Sequence, residues 1–115
     1  MNVEEYVHIS LNIKEINKYI YYGLDLTQSH IMILYLVLNS EKQKLDLQEL
    51  CEKTQTVSSV ITRQIKDLEK RGYLMKKRYE NNLRKAYVFM SQEQKEDTVA
   101  LIDLIEEYIK KHSAV

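Results

Sequence analysis

Apolar residues open the chain at spacings of three, four, three and four: Tyr6, Ile9, Ile13, Ile16 and Ile20. That is the seam of an amphipathic helix, one side of which packs on another helix. Gly23 and Asp25 are expected to break it. Thr27 stands where an N-cap belongs and predicts a second helix over residues 28–39. Residues 31–38 are apolar on nearly every side of that helix, the pattern of a central, buried element. Polar residues 40–44 predict a loop, Leu45-Asp46-Leu47 a brief strand, and residues 48–53 a short helix.

Beyond Thr54-Gln55, Thr56 is the expected cap of a further helix that runs to about Arg71, where Gly72 stops it. Ile61, Ile65 and Leu68 mark its buried stripe; at about 100° per residue, Ser59, Arg63, Lys66 and Lys70 fall on the opposite side. Two strand-like pieces follow, residues 73–79 and 85–90. In the second, Ala86, Val88 and Met90 share one face and Tyr87 and Phe89 the other. Residues 80–83 join them, with Asn81-Asn82 expected to supply the positive φ of a tight hairpin. Ser91, with Glu93 and Gln94 behind it, predicts a capped last helix striped by Leu101, Ile102, Leu104, Ile105, Tyr108 and Ile109. The order is helix, helix, short strand, helix, helix, hairpin, helix. It predicts a mainly α fold with a small β-hairpin wing (α+β), a winged helix-turn-helix. The division is a single domain over 1–115, with terminal helices at 1–24 and 91–115, the helix-turn-helix at 45–72 and the wing at 73–90.

Composition narrows the chemistry. The chain has 115 residues, two glycines and no proline. Neither a three-glycine dinucleotide fingerprint nor a P-loop can be written with Gly23 and Gly72. Cys51 is the only cysteine, so no disulfide forms within the chain and a reducing cytoplasm is the expected location. A packed core thiol is its default role; redox sensing has no resolving cysteine to call on. No basic segment precedes an apolar one at the start, and residues 31–38, the longest apolar run, fall far short of the roughly 20 a membrane helix needs. His8, His30 and His112 show no metal-ligand spacing, and no nucleophile–base pair appears. No metal, no cofactor and no enzymatic activity are therefore expected.

Seventeen Lys and Arg balance seventeen Asp and Glu, which at first argues against a polyanionic partner. Cut in three, the chain reads differently. Residues 1–52 carry four bases against eight acids, a net of −4; residues 86–115 carry three against six, −3. Residues 53–85 carry ten bases against three acids, +7. The charge sits on the helix and wing expected to touch a phosphate backbone.

The run Leu45-Asp46-Leu47-Gln48-Glu49-Leu50-Cys51-Glu52-Lys53, continued by Val60-Ile61-Thr62-Arg63-Gln64-Ile65-Lys66-Asp67-Leu68-Glu69-Lys70-Arg71-Gly72-Tyr73-Leu74, resembles the MarR/SarA family of bacterial winged-helix regulators. Leu26-Thr27, Ile33, Leu34 and Leu38 before it, and Arg84-Lys85 with Met90-Ser91 after it, fit the same resemblance. Asn82 and Leu83 precede Arg84 where the family commonly places a carboxylate that braces the wing arginine. The resemblance implies a homodimeric transcription regulator that reads double-stranded DNA at a pseudo-palindromic operator, with recognition helices about 34 Å apart in major grooves and wings in minor grooves.

By that resemblance Ser58, Ser59, Thr62, Arg63 and Gln64 reach base edges or nearby phosphates. Arg63 has the donors for guanine, and Gln64, nearer the buried stripe, the pair for adenine. Lys66, Lys70, Lys76, Lys77, Arg78 and Lys85 are expected on phosphates, and Arg84 in the minor groove. Tyr6, Ile9, Ile13, Ile16 and Ile20, with Leu101, Leu104, Ile105 and Tyr108, are the expected dimer seam. A small-molecule effector is allowed by the resemblance but supported by no residue; Tyr19, Tyr21 and Tyr22 are the aromatic candidates to line a pocket, with core or dimer packing the plainer role. Two other uses of the same fold stay open on sequence grounds: plasmid partition or replication, and a protein-interaction module.

Overall fold

The computed structural model describes residues 1–113, so Ala114 and Val115, the end of the expected 91–115 helix segment, lie outside the described residues. The first helix, α1 (Val3–Leu24), starts at Asn2, whose side chain accepts the Glu5 N–H at 2.8 Å. It runs through Gly23 and ends on Asp25, which takes the left-handed conformation at φ 55°. Gly23 is therefore not a breaker. Its role is close packing, because a Cβ there would overlap the phenol of Tyr108.

After Leu26, α2 (Gln28–Leu38) opens with a reciprocal capping box. The Thr27 hydroxyl accepts the His30 N–H at 3.3 Å, and the Thr27 N–H donates to His30 Nδ1 at 3.0 Å. This helix is the centre of the molecule, as its apolar pattern predicts, except that Tyr35 is exposed. Ile33, Leu34 and Val37 are buried, and around them close Leu26, Leu50, Ile61, Ile65, Leu68, Val88 and Met90. Each such side chain contributes about 1.5–3 kcal/mol by leaving water, an upper estimate because the unfolded chain is itself partly collapsed.

The first strand, β1 (Lys44–Asp46), lies one residue earlier than expected, because Leu47 already belongs to α3 (Leu47–Thr54). Next come α4 (Ser58–Lys70), β2 (Met75–Tyr79), β3 (Asn82–Phe89) and α5 (Gln92–His112). The antiparallel sheet has the order β1-β3-β2, with Leu45 opposite Val88 and Lys77 opposite Tyr87. Ala86, Val88 and Met90 are buried against the helices, as the alternation predicts. The hairpin differs from expectation: neither Asn81 nor Asn82 has positive φ. The chain reverses at Glu80-Asn81, with a register irregularity just before it between Arg78 and Tyr79, and the Asn82 side chain accepts the Arg84 N–H at 3.1 Å.

Gly72 ends α4 as expected. At φ +84° it completes a Schellman motif, with its N–H on Glu69 O and the Tyr73 N–H on Leu68 O, both at 3.0 Å. Ser91 and Gln94 form a full capping box at the start of α5. The molecule is elongated, 50 × 30 × 24 Å, with a radius of gyration of 15.5 Å; a compact chain of this length has about 13 Å. Among the described residues, no helix is long and apolar enough to cross a membrane.

Candidate nucleic-acid interface

The turn between α3 and α4 is tight. Gln55 takes φ 51° and its N–H closes on Glu52 O at 3.3 Å, while the Thr56 N–H reaches Cys51 O at 3.1 Å. Thr56 was expected to cap α4, but its hydroxyl donates backwards to Thr54 O at 3.0 Å. The N-cap of α4 is Val57, which has no side-chain hydrogen bond to give. The first N–H groups of α4 thus meet no side-chain acceptor, an arrangement that suits an incoming phosphate.

Ile61, Ile65 and Leu68 pin one side of α4 into the core. The helical period then turns Ser58, Ser59, Thr62, Arg63, Lys66 and Lys70 to solvent, while Gln64 is half-buried. A polar anchor holds the same helix from the side. His30 is buried, and its Nε2 lies 3.0 Å from Asp67 Oδ2, although the ring N–H is poorly aligned with that oxygen. Arg71 Nη2 lies 3.0 Å from the same oxygen and 3.2 Å from Asp25 Oδ2 at the end of α1. Burial pulls the His30 pKa below its ordinary value, against the opposing pull of the Asp67 carboxylate. The imidazole is then neutral near pH 7, with Nδ1 free to accept the Thr27 N–H.

Between α3, α4 and the wing lies a groove of about 450 Å³. Gln48 and Cys51 line it from α3, Ser58 and Thr62 from α4, and Lys76, Arg78, Arg84 and Lys85 from the wing strands. Asp46 is the carboxylate in this lining. Arg78 Nη1 donates to Leu83 O at 3.0 Å and so braces the wing tip. Arg84 is exposed, and among the described residues no carboxylate takes its guanidinium, as the missing acid before it implied. Cys51 is half-buried, packing against the core while also facing the groove.

The structure does not bring Lys77 to the groove with the other wing cations expected to face DNA, because successive strand residues alternate faces. Lys76 and Arg78 turn toward the groove, and the Lys77 ammonium lies over the Phe89 ring on the outer face of the sheet. Gln48 and Asp46 are groove residues that sequence reasoning missed. They belong to β1 and α3, which touch the groove only through tertiary packing, and no local pattern marks them.

The expected dimer seam divides. Tyr6 is 63% exposed, and Ile9 and Ile13 remain exposed; Ile16 is half-buried and Ile20 is only 2% exposed. On α5, Leu104 is exposed and Leu101 and Tyr108 are half-buried, but Ile105 is 4% exposed. Ile20 and Ile105 are thus core residues of the chain itself, where α1 meets α5, and are not free for a partner. Tyr19 stacks on His112 with ring centroids 3.8 Å apart, tying the same two helices together. Among the described residues, no group of His, Cys, Asp and Glu is placed to hold a metal ion.

A sequence profile described as transcriptional regulator SarA/Rot matches residues 7–101. No curated protein sequence matches the chain. Among solved structures, Sco3205, a MarR family transcriptional regulator from Streptomyces coelicolor in complex with DNA, is similar at TM-score 0.78 and 14% identity, over 95% of this chain and 69% of that one. AbsC, a MarR family transcriptional regulator of the same organism, gives 0.76 and 16%, over 95% and 73%. The S. aureus MepR–DNA complex gives 0.75 and 12%, over 96% and 81%. At these identities the likeness is one of fold: a mainly helical winged helix with a small three-stranded sheet.

Proposed function

The chain belongs to the SarA/Rot family of transcriptional regulators, and from that premise we propose that it is a sequence-specific binder of double-stranded DNA that acts as a homodimer on a pseudo-palindromic operator. The observation that carries this reading is the groove itself. In a chain of zero net charge, Lys76, Arg78, Arg84 and Lys85 converge on one channel beside the exposed face of α4. Cations gathered in this way release counterions from a phosphate backbone and favour binding there.

In this reading Ser58, Ser59, Thr62 and Arg63 face the major groove, with Gln64 at the margin. Arg63 makes the base contact, having the fork that matches guanine. Lys66, Lys70, Lys76, Arg78 and Lys85 meet phosphates, and Arg84, free of a carboxylate, enters the minor groove. Tyr6, Ile9, Ile13 and Leu104 supply the dimer contact, since an exposed apolar row of this kind is costly in a lone helix. Single-domain organisation, a cytoplasmic setting and the absence of catalysis all fit a regulator of this kind. Two of the similar structures were solved with DNA, which supports DNA as the partner.

Titration of labelled duplex across salt is the test. Affinity is expected to fall steeply, with a slope set by roughly 6–10 phosphates per dimer. A flat response would refute DNA binding. Arg63→Ala is expected to cost about 1–3 kcal/mol on the selected operator and little on random duplex. An equal loss on both would make Arg63 a phosphate contact.

A further inference from the structure

We propose that the outer face of the wing sheet is a docking surface for single-stranded DNA. On that face, turned away from the core, three rings run in a ladder. Tyr79 and Tyr87 have centroids 4.9 Å apart, and Tyr87 and Phe89 5.7 Å apart. Lysines stand over them: Lys44 Nζ is 4.8 Å from the Tyr87 centroid and 5.6 Å from that of Tyr79, and Lys77 Nζ is 5.6 Å from that of Phe89. Two shallow depressions, about 280 and 240 Å³, flank the ladder and add Lys42 at one end and Lys85 at the other. Asp46 is the acid lining the second of them, and the Tyr79 hydroxyl donates to its carboxylate, which pushes the Tyr79 pKa up to about 12.

The chemistry selects the occupant. A duplex hides its base faces in the stack, so rings have nothing to meet there. An acidic peptide would be satisfied by the lysines and gains nothing from a row of rings. A single strand offers both partners: bases that stack on aromatic side chains and phosphates that take the lysines. An arriving base replaces the ammonium over a ring, and the displaced lysine meets the neighbouring phosphate. The Tyr87 and Phe89 rings, 5.7 Å apart, are spaced more widely than the rise of about 3.4 Å per nucleotide in a stacked strand. Adjacent bases can therefore splay, one per ring. DNA, and not RNA, is indicated by continuity. Lys85 lines both the duplex-facing groove and the outer depression, so the wing tip joins the two surfaces. The inference uses the proposed function only for where the duplex sits.

The test uses the full chain and a labelled oligothymidylate of ~12 nucleotides, within the site size of single-strand binding folds. Tyr87→Leu with Phe89→Leu keeps apolar bulk and removes the ring faces. It is expected to weaken binding at least about tenfold while duplex affinity and circular dichroism stay unchanged. Lys44→Ala with Lys77→Ala is expected to reduce the salt slope by about 1.4, at about 0.7 per phosphate contact on a single strand. Since the chain has no tryptophan, Tyr87→Trp adds a single reporter whose emission is expected to be quenched as a base stacks. Arg63→Ala is expected to weaken operator binding and leave single-strand binding unchanged. The proposal is overturned if the leucine variant binds as the parent does, if Arg63→Ala weakens both ligands equally, if oligouridylate binds more tightly than oligothymidylate, or if polyglutamate competes equally. Single-strand binding without any duplex binding would instead refute the proposed function and leave this surface standing.

Discussion

His30 occupies the third position of α2, where a capping box ordinarily has Glu or Gln. Its Nδ1 must be unprotonated to accept the Thr27 N–H, and burial favours that state. The sign of the pH dependence follows. Unfolded, His30 takes a proton near its ordinary value of about 6.5; folded, its pKa is lower. The unfolded chain binds the extra proton, so the stability from this group is complete above about 6.5 and is lost as pH falls through the lower folded value. His30→Gln keeps a capping side chain and removes the titration. Urea unfolding between about pH 7.5 and 5.5 is expected to show a shallower loss for His30→Gln than for the parent, with His8 and His112 common to both. Parallel profiles would place the pH dependence elsewhere. Thr27 and Gly72 were legible in sequence because their work is local, a cap and a positive φ. Gly23 and His30 were not, because Tyr108 and Asp67, which give them their roles, stand far along the chain.

At the scale of elements, the buried stripe of α4 and the inward face of β3 follow their periods closely enough to be read residue by residue. What escaped was the facing of β2. A run of three cations, Lys76-Lys77-Arg78, reads as one basic patch, but the pleat divides it between two surfaces. Charge reversal separates them. Lys76→Glu is expected to weaken duplex binding by about five- to tenfold at moderate salt, and Lys77→Glu to change it little. Equal losses, measured by anisotropy on the same duplex, would return Lys77 to the duplex-facing set. The ends of β1 and the hairpin were also misplaced, since one residue decides between Leu47 as strand and as helix. The bulge at Arg78–Tyr79, unlike an Asn-Gly turn, leaves no local mark.

For the whole molecule, zero net charge proves a poor descriptor, because the basic middle third builds α4 and the wing while most of the acids lie on the flanking segments. The elongated outline has a matching cause. α1 is 22 residues, about 33 Å of helix, and only its later half meets the core. The seam Tyr6 to Ile20 was legible as a seam, but a period cannot say where one partner ends and another begins. Ile20 goes to the chain's own α5, while Tyr6, Ile9 and Ile13 are left outside. Ile9→Glu with Ile13→Glu is expected to convert a dimer to a 13.7 kDa monomer in sedimentation, with secondary structure kept and operator affinity sharply reduced. A parent chain that already sediments as a monomer would remove the dimer from the proposal.

The carboxylate of Asp67 has a mechanical meaning in such a dimer. One oxygen lies 3.0 Å from a guanidinium that also reaches Asp25 at the end of α1, and against a buried ring from α2. α4 is thereby in contact with both helices at a single point. In the proposed dimer, the angle at which α1 meets its partner would be passed through this contact to the pitch of α4, as the handles of a pair of calipers set the gap between its points.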